Sequence, residues 1–197
     1  FTRRPLMLLL IALPLVAALA GFALQQTGAP TWPTPPIVAP ERGAILASDG
    51  TVLAEGDVAS RFYPQGHLAA HVIGFSGALQ PDGRYGLEGV EYTLDARLQA
   101  GIDPTLTLDP ILQAAAERHL EATVLDSGAE NGSVVMLEAE TGRILAAASY
   151  PFFDPNEQGR YDRSVIQNQA FLQQYEPGSV MKPFVVAALL QSDRLQP

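Results

Sequence analysis

The chain has 197 residues, enough for one full domain or two small ones. It contains no cysteine, which excludes a disulfide framework, thiol catalysis and a cysteine-ligated metal. Its 12 basic and 21 acidic residues give a net charge of −9, which argues against binding nucleic acid or an anionic membrane surface through the folded part.

Arg3 and Arg4 precede an uncharged stretch running from Leu6 to Leu24. At about 1.5 Å per residue, a helix of that length matches the hydrocarbon core of a bilayer. The paired arginines predict a cytoplasmic amino terminus and an exported remainder. Ala18-Leu19-Ala20 resembles a cleavage site, so a removed signal peptide competes with a retained single-span anchor. The length of the span favours the anchor, assigned to residues 1–27. Phe1 is not a natural start residue, and the true beginning is expected upstream. A proline-rich spacer follows over 28–40, stiff and extended, with Trp32 suited to the headgroup region.

Residues 41–106 read as a small mixed α/β module. Ala44-Ile45-Leu46 and Thr51-Val52-Leu53 flank Ser48-Asp49-Gly50, which predicts a hairpin. A second apolar run from Ala70 to Phe75 is followed by glycine and proline punctuation, with no helix strong enough to form a core by itself. His67 and His71 are four apart, but Gly66, Gly74 and Gly77 oppose a long helix and no zincin carboxylate stands between them, so no metal site is assigned. Glu88 and Glu91 could form an acid–base pair for cutting a glycan. A solvated turn or a buried salt-bridge partner is the better reading. Gly83, Gly86 and Gly89 lack the βαβ context of a phosphate loop.

From 107 to 197 the pattern sharpens. Asp109 caps a predicted helix that starts at Pro110, with Ile111, Leu112, Ala115, Leu120 and Val124 as its apolar stripe. Ser133 to Leu137 and Arg143 to Ser149 are predicted strands joined by a turn over Glu138-Ala139-Glu140-Thr141-Gly142. Loop signals run from Tyr150 to Gly178. Helix, hairpin, long loop and a final helix indicate an α+β fold with helix packed on antiparallel sheet. The chain ends before such a sheet is complete, so a truncated domain is expected.

The final helix carries the most specific chemistry. Lys182 is the only lysine, and it stands three residues after Ser179. Every other basic residue is arginine, which cannot lose its proton. Pro177 and Gly178 break the preceding chain, and Pro183 is tolerated in a first helical turn. Phe184, Val185, Val186, Ala187, Ala188, Leu189 and Leu190 make the helix apolar nearly all round, which predicts burial. Ser179 would then lie at the positive helix end, and Lys182 among apolar side chains that favour a neutral amine. Serine nucleophile and lysine base is the reading this supports. A plain helix cap with a snorkelling lysine is the alternative.

The residues together resemble the class B penicillin-binding proteins, the membrane-anchored D,D-transpeptidases that cross-link peptidoglycan. Arg42-Gly43-Ala44-Ile45 with Asp49-Gly50 is similar to their amino-terminal motif. Arg61-Phe62-Tyr63-Pro64, His71-Val72-Ile73-Gly74-Phe75 and Gly86-Leu87-Glu88-Gly89-Val90-Glu91 resemble the pedestal of cell-division members. Leu106-Thr107-Leu108-Asp109 with Leu112-Gln113 resembles the entry to the transpeptidase domain. Thr141-Gly142-Arg143-Ile144-Leu145-Ala146, Ser149-Tyr150-Pro151 and Asp154-Pro155-Asn156 resemble its first hairpin and loop, and Glu176-Pro177-Gly178-Ser179 through Lys182-Pro183 its Ser-x-x-Lys signature.

The resemblance implies serine acyl transfer without cofactor or metal. Ser179 would attack the carbonyl between two terminal D-alanines of a stem peptide, and Lys182 would accept its proton. β-Lactams would acylate the same serine. It further implies a single-pass protein of the inner membrane, its bulk periplasmic, with a polytopic septal glycosyltransferase and other divisome proteins as partners. Three departures stand against the family pattern. No Ser-x-Asn motif occurs, and Lys-Thr-Gly or Lys-Ser-Gly is excluded because Lys182 is the only lysine. The pedestal is short for the family. Asn168-Gln169-Ala170 has glutamine where arginine is more usual. A non-catalytic membrane-anchored divisome scaffold and a β-lactam sensor or β-lactamase are the alternative functions.

Overall fold

Ile45–Leu46 (β1) and Val52–Ala54 (β2) pair antiparallel, with Ile45 opposite Ala54, and open the fold. Their turn forms because Asp49 Oδ1 accepts the Thr51 N–H at 2.9 Å and Gly50 adopts φ +88°. The computed structural model describes residues 41–192 and 194, so the predicted membrane anchor and proline-rich spacer lie outside the described residues. Among the described residues no helix is long and apolar enough to cross a membrane.

The short helices Ala70–Ile73 (α1), Gly89–Thr93 (α2) and Asp95–Gln99 (α3) follow. The apolar run at Ala70 thus becomes a single helical turn, stopped by Gly74 at φ +70°. Gly74 and Gly89 permit α1 and α2 to touch backbone to backbone. A Cβ on Gly74 would lie 1.9 Å from Glu88 O, and one on Gly89 2.5 Å from Val72 O. Around these elements Ile45, Leu53, Tyr63, Ile73, Leu98 and Leu108 form the main core.

A buried charge cluster sits in the same core. Arg42 donates to Glu91 Oε2 at 2.6 Å and lies 2.9 Å from Asp95 Oδ1, while Arg61 Nε donates to Glu91 Oε1 at 2.7 Å. Glu91 is therefore a salt-bridge partner, which agrees with the non-catalytic reading of that residue. Glu88 is the residue that precedes α2. Tyr63 shares the cluster. Its hydroxyl accepts the Ser76 N–H at 3.0 Å, and burial together with the Glu91 charge pushes it up to about 12.

Helix α4 spans Pro110–Ser127, capped by Asp109, whose Oδ1 accepts the N–H groups of Ile111 and Leu112 at 2.9 and 3.0 Å. Gly128 ends it in the left-handed conformation. The expected stripe needs correction. Ile111 is 77 % exposed, and the covered face runs through Gln113, Ala116, Glu117, Leu120 and Val124. Two polar residues occupy core positions because the neighbouring strand and module supply hydrogen-bond partners for them. Gly132–Leu137 (β3) and Ile144–Tyr150 (β4) pair antiparallel, each one residue from the predicted boundary. α4 packs across both strands, and Ala146 and Ala148 of β4 bury against Ala116. The predicted loop beyond β4 contains Arg163–Ile166 (α5) and Gln169–Leu172 (α6).

Candidate active site

Ser179 lies in a 3-10 turn over Gly178–Met181 that runs directly into Lys182–Gln191 (α7). Gly178 takes φ +54°, a conformation that side chains resist, just before the serine. Val180 N–H donates to Pro177 O at 3.3 Å, and the Lys182 N–H donates to Ser179 O. The two candidate residues are thus held one tight turn apart, with Pro183 inside the first turn of α7. The predicted helix start is correct to within the length of that turn.

The predicted burial is not. Phe184 is 68 % exposed and Val185 56 %, and Ser179 and Lys182 are exposed as well. Among the described elements the 3-10 turn is the main packing partner of α7. An all-round apolar helix declares that it needs a cover, but the cover must come from other elements. The described residues do not supply one, so the expected desolvation of Lys182 is not provided by them.

The segment ahead of Ser179 is better supported. α6 packs against β3 and β4. Asn168 Nδ2 donates to His71 O at 2.9 Å, and the Ser149 hydroxyl donates to Asn168 Oδ1 at 3.4 Å. Ser149 Oγ accepts the Ala170 N–H at 3.2 Å. His71 is buried edge-on to Phe153, with Nε2 2.8 Å from Val165 O, and burial holds its pKa below the ordinary histidine value. His67 stacks on Phe152 and lies 3.7 Å from Glu117 Oε2. The two histidines therefore make different contacts.

Sequence reasoning placed Gln113 and Ser149 only within family-like motifs, passed over Glu117, and gave Asn168 no role. Glu117 Oε1 accepts the Ala69 N–H at 2.7 Å and the Gln113 amide at 2.8 Å. Asn156 pairs with the Tyr63 backbone, donating to its carbonyl and accepting its N–H, both at 2.9 Å. Spacing was the signal for their pairing: Gln113 and Glu117 lie four apart, on the same helical face as the apolar residues.

Comparison with known proteins gives a consistent picture. Residues 132–197 match the penicillin-binding protein transpeptidase domain. Over 159 residues the chain is 38 % identical to a probable peptidoglycan D,D-transpeptidase, PenA, of Neisseria gonorrhoeae, covering 68 % of this chain and 27 % of the relative. It is 32 % identical to the peptidoglycan D,D-transpeptidase FtsI of Escherichia coli, covering 66 % and 26 %. The fold is similar to apo penicillin-binding protein 3 of Mycobacterium tuberculosis, with TM-score 0.67, 33 % identity, and 79 % of this chain and 38 % of that one covered. A structure of that protein complexed with aztreonam matches at TM-score 0.68 and 32 % identity, covering 81 % and 39 %. The chain spans about a quarter of the length of these curated relatives.

Proposed function

We propose that this chain, a member of the penicillin-binding transpeptidases, carries the nucleophile and base of a serine D,D-transpeptidase acting on peptidoglycan. The observation that carries the reading is the Ser179–Lys182 turn at the head of α7, inside the matched domain. Ser179 Oγ attacks the carbonyl between the two terminal D-alanines, and its proton passes to Lys182 Nζ. The N–H of Ser179 lies at the start of the turn, ahead of its first internal hydrogen bond, and can face a developing oxyanion. The C–N bond breaks, the departing D-alanine amine takes the proton, and an ester on Ser179 remains. An amine of a neighbouring stem displaces the ester and restores the hydroxyl. β-Lactams take the substrate's place and acylate Ser179. Residues 1–27 anchor the protein in the inner membrane, 41–106 form its pedestal, and septal cell-wall synthesis with divisome partners is its setting.

A fluorescent penicillin tests this in the protein as its gene encodes it. Ser179 becomes labelled, and Ser179→Ala abolishes labelling while leaving membrane insertion intact; retained label in that variant overturns the assignment. The exposure of Ser179 and Lys182 favours a second reading for residues 1–197 by themselves, a membrane-anchored scaffold without activity of its own. Labelling of the 197-residue chain would count against it.

A further inference from the structure

From Phe171 onward the hydrogen bonds of the described residues close within the segment itself. Phe171 and Leu172 donate to Asn168 O, Gln173 to Gln169 O, and Val180 to Pro177 O. The last hydrogen-bonded tie between the Ser179 segment and the body of the protein is therefore the knot at Asn168 and Ala170. One side-chain amide there reaches two separate elements. Its nitrogen holds the carbonyl of His71 in α1, and its oxygen faces the Ser149 hydroxyl of β4, which in turn holds Ala170.

Helix α1 is itself fixed at both ends of this path. Its entry is tied to α4 by the Ala69–Glu117 bond, and His71 grips the Val165 carbonyl of α5. A shift of α1 thus moves the anchor point of Asn168, and with it the start of the segment that leads to Ser179. We propose that Asn168 is a positioning residue, which sets the Ser179 segment in register with α1 and β4. The orientation of the nucleophile is then coupled to residues 41–106. The role rests on the transpeptidase reading only for its effect on rate.

Two readouts in Asn168→Ala and Asn168→Asp, made in the protein as its gene encodes it, test the proposal. Asp keeps the shape and an acceptor for Ser149 but has no donor for His71 O, so both variants lose the tie to α1. Amide hydrogen exchange over residues 170–182 rises while that of α4 is unchanged. The rate constant for penicillin acylation falls about tenfold, because a small misplacement of a reacting atom is costly. Non-covalent affinity for the penicillin stays near that of the parent. Ser149→Ala gives a smaller loss, and combined with Asn168→Ala the loss is less than the sum of the two, since they share one hydrogen bond of the knot. Unchanged exchange over 170–182, or acylation at the parental rate, overturns the proposal. If the parent is not acylated at Ser179, the transpeptidase reading fails, and the exchange result still decides the tie by itself.

Discussion

Gln113 and Ala147 are joined twice. The Gln113 amide donates to Ala147 O at 3.0 Å, and its oxygen accepts the Ala147 N–H at 2.8 Å. A helix side chain thus satisfies the outer edge of β4 as a further strand would, and Gln113 Nε2 also reaches Glu117. Gln113→Ala leaves a buried N–H and carbonyl unpaired, so it should destabilise the fold by about 1–3 kcal/mol. Urea unfolding measures the loss, and a variant as stable as the parent would show that β4 finds another partner.

Glu91 holds two guanidinium groups in a fully buried place. Glu91→Ala strands Arg42 and Arg61 without their shared counter-charge, with an expected loss of about 3–5 kcal/mol. Asp95 remains beside Arg42 and partly compensates its charge, so Asp95→Ala in addition should cost more than the two single losses summed. Chemical denaturation of the two single variants and the double variant decides this.

Burial raises the Glu117 pKa, against the lowering effect of the Gln113 amide, the Ala69 N–H and nearby His67. The folded state therefore holds this proton more tightly than the unfolded chain does. Its contribution to stability is largest below the ordinary glutamate pKa and declines as pH rises through the raised value. Glu117→Gln, which keeps an acceptor for Ala69, should flatten that decline. Unfolding free energy measured from mildly acidic to neutral pH provides the check, and an unaltered slope would assign it to another group.

Lys182→Arg should abolish acylation of Ser179 in the gene-encoded protein. Guanidinium preserves the positive charge but cannot act as the base. Penicillin labelling above background in this variant would show that the residue acts through charge alone.

What the sequence determined by itself was local. Asp109 before Pro110, Asp49-Gly50 between two apolar runs, and Gly142 at the β3–β4 turn each meet a backbone need within a few residues, and each formed as expected. The Ser179–Lys182 spacing was equally legible, because one turn fixes it. Burial was decided only by tertiary structure. Glu91 is enclosed because Arg42 arrives from 49 residues away, and Gln113 because Ala147 arrives from 34. Ile111 and Phe184 stay exposed although both are strongly apolar. Hydrophobic pattern records what a face would gain from being covered, whereas burial depends on which distant element reaches it, and that is a property of the folded whole.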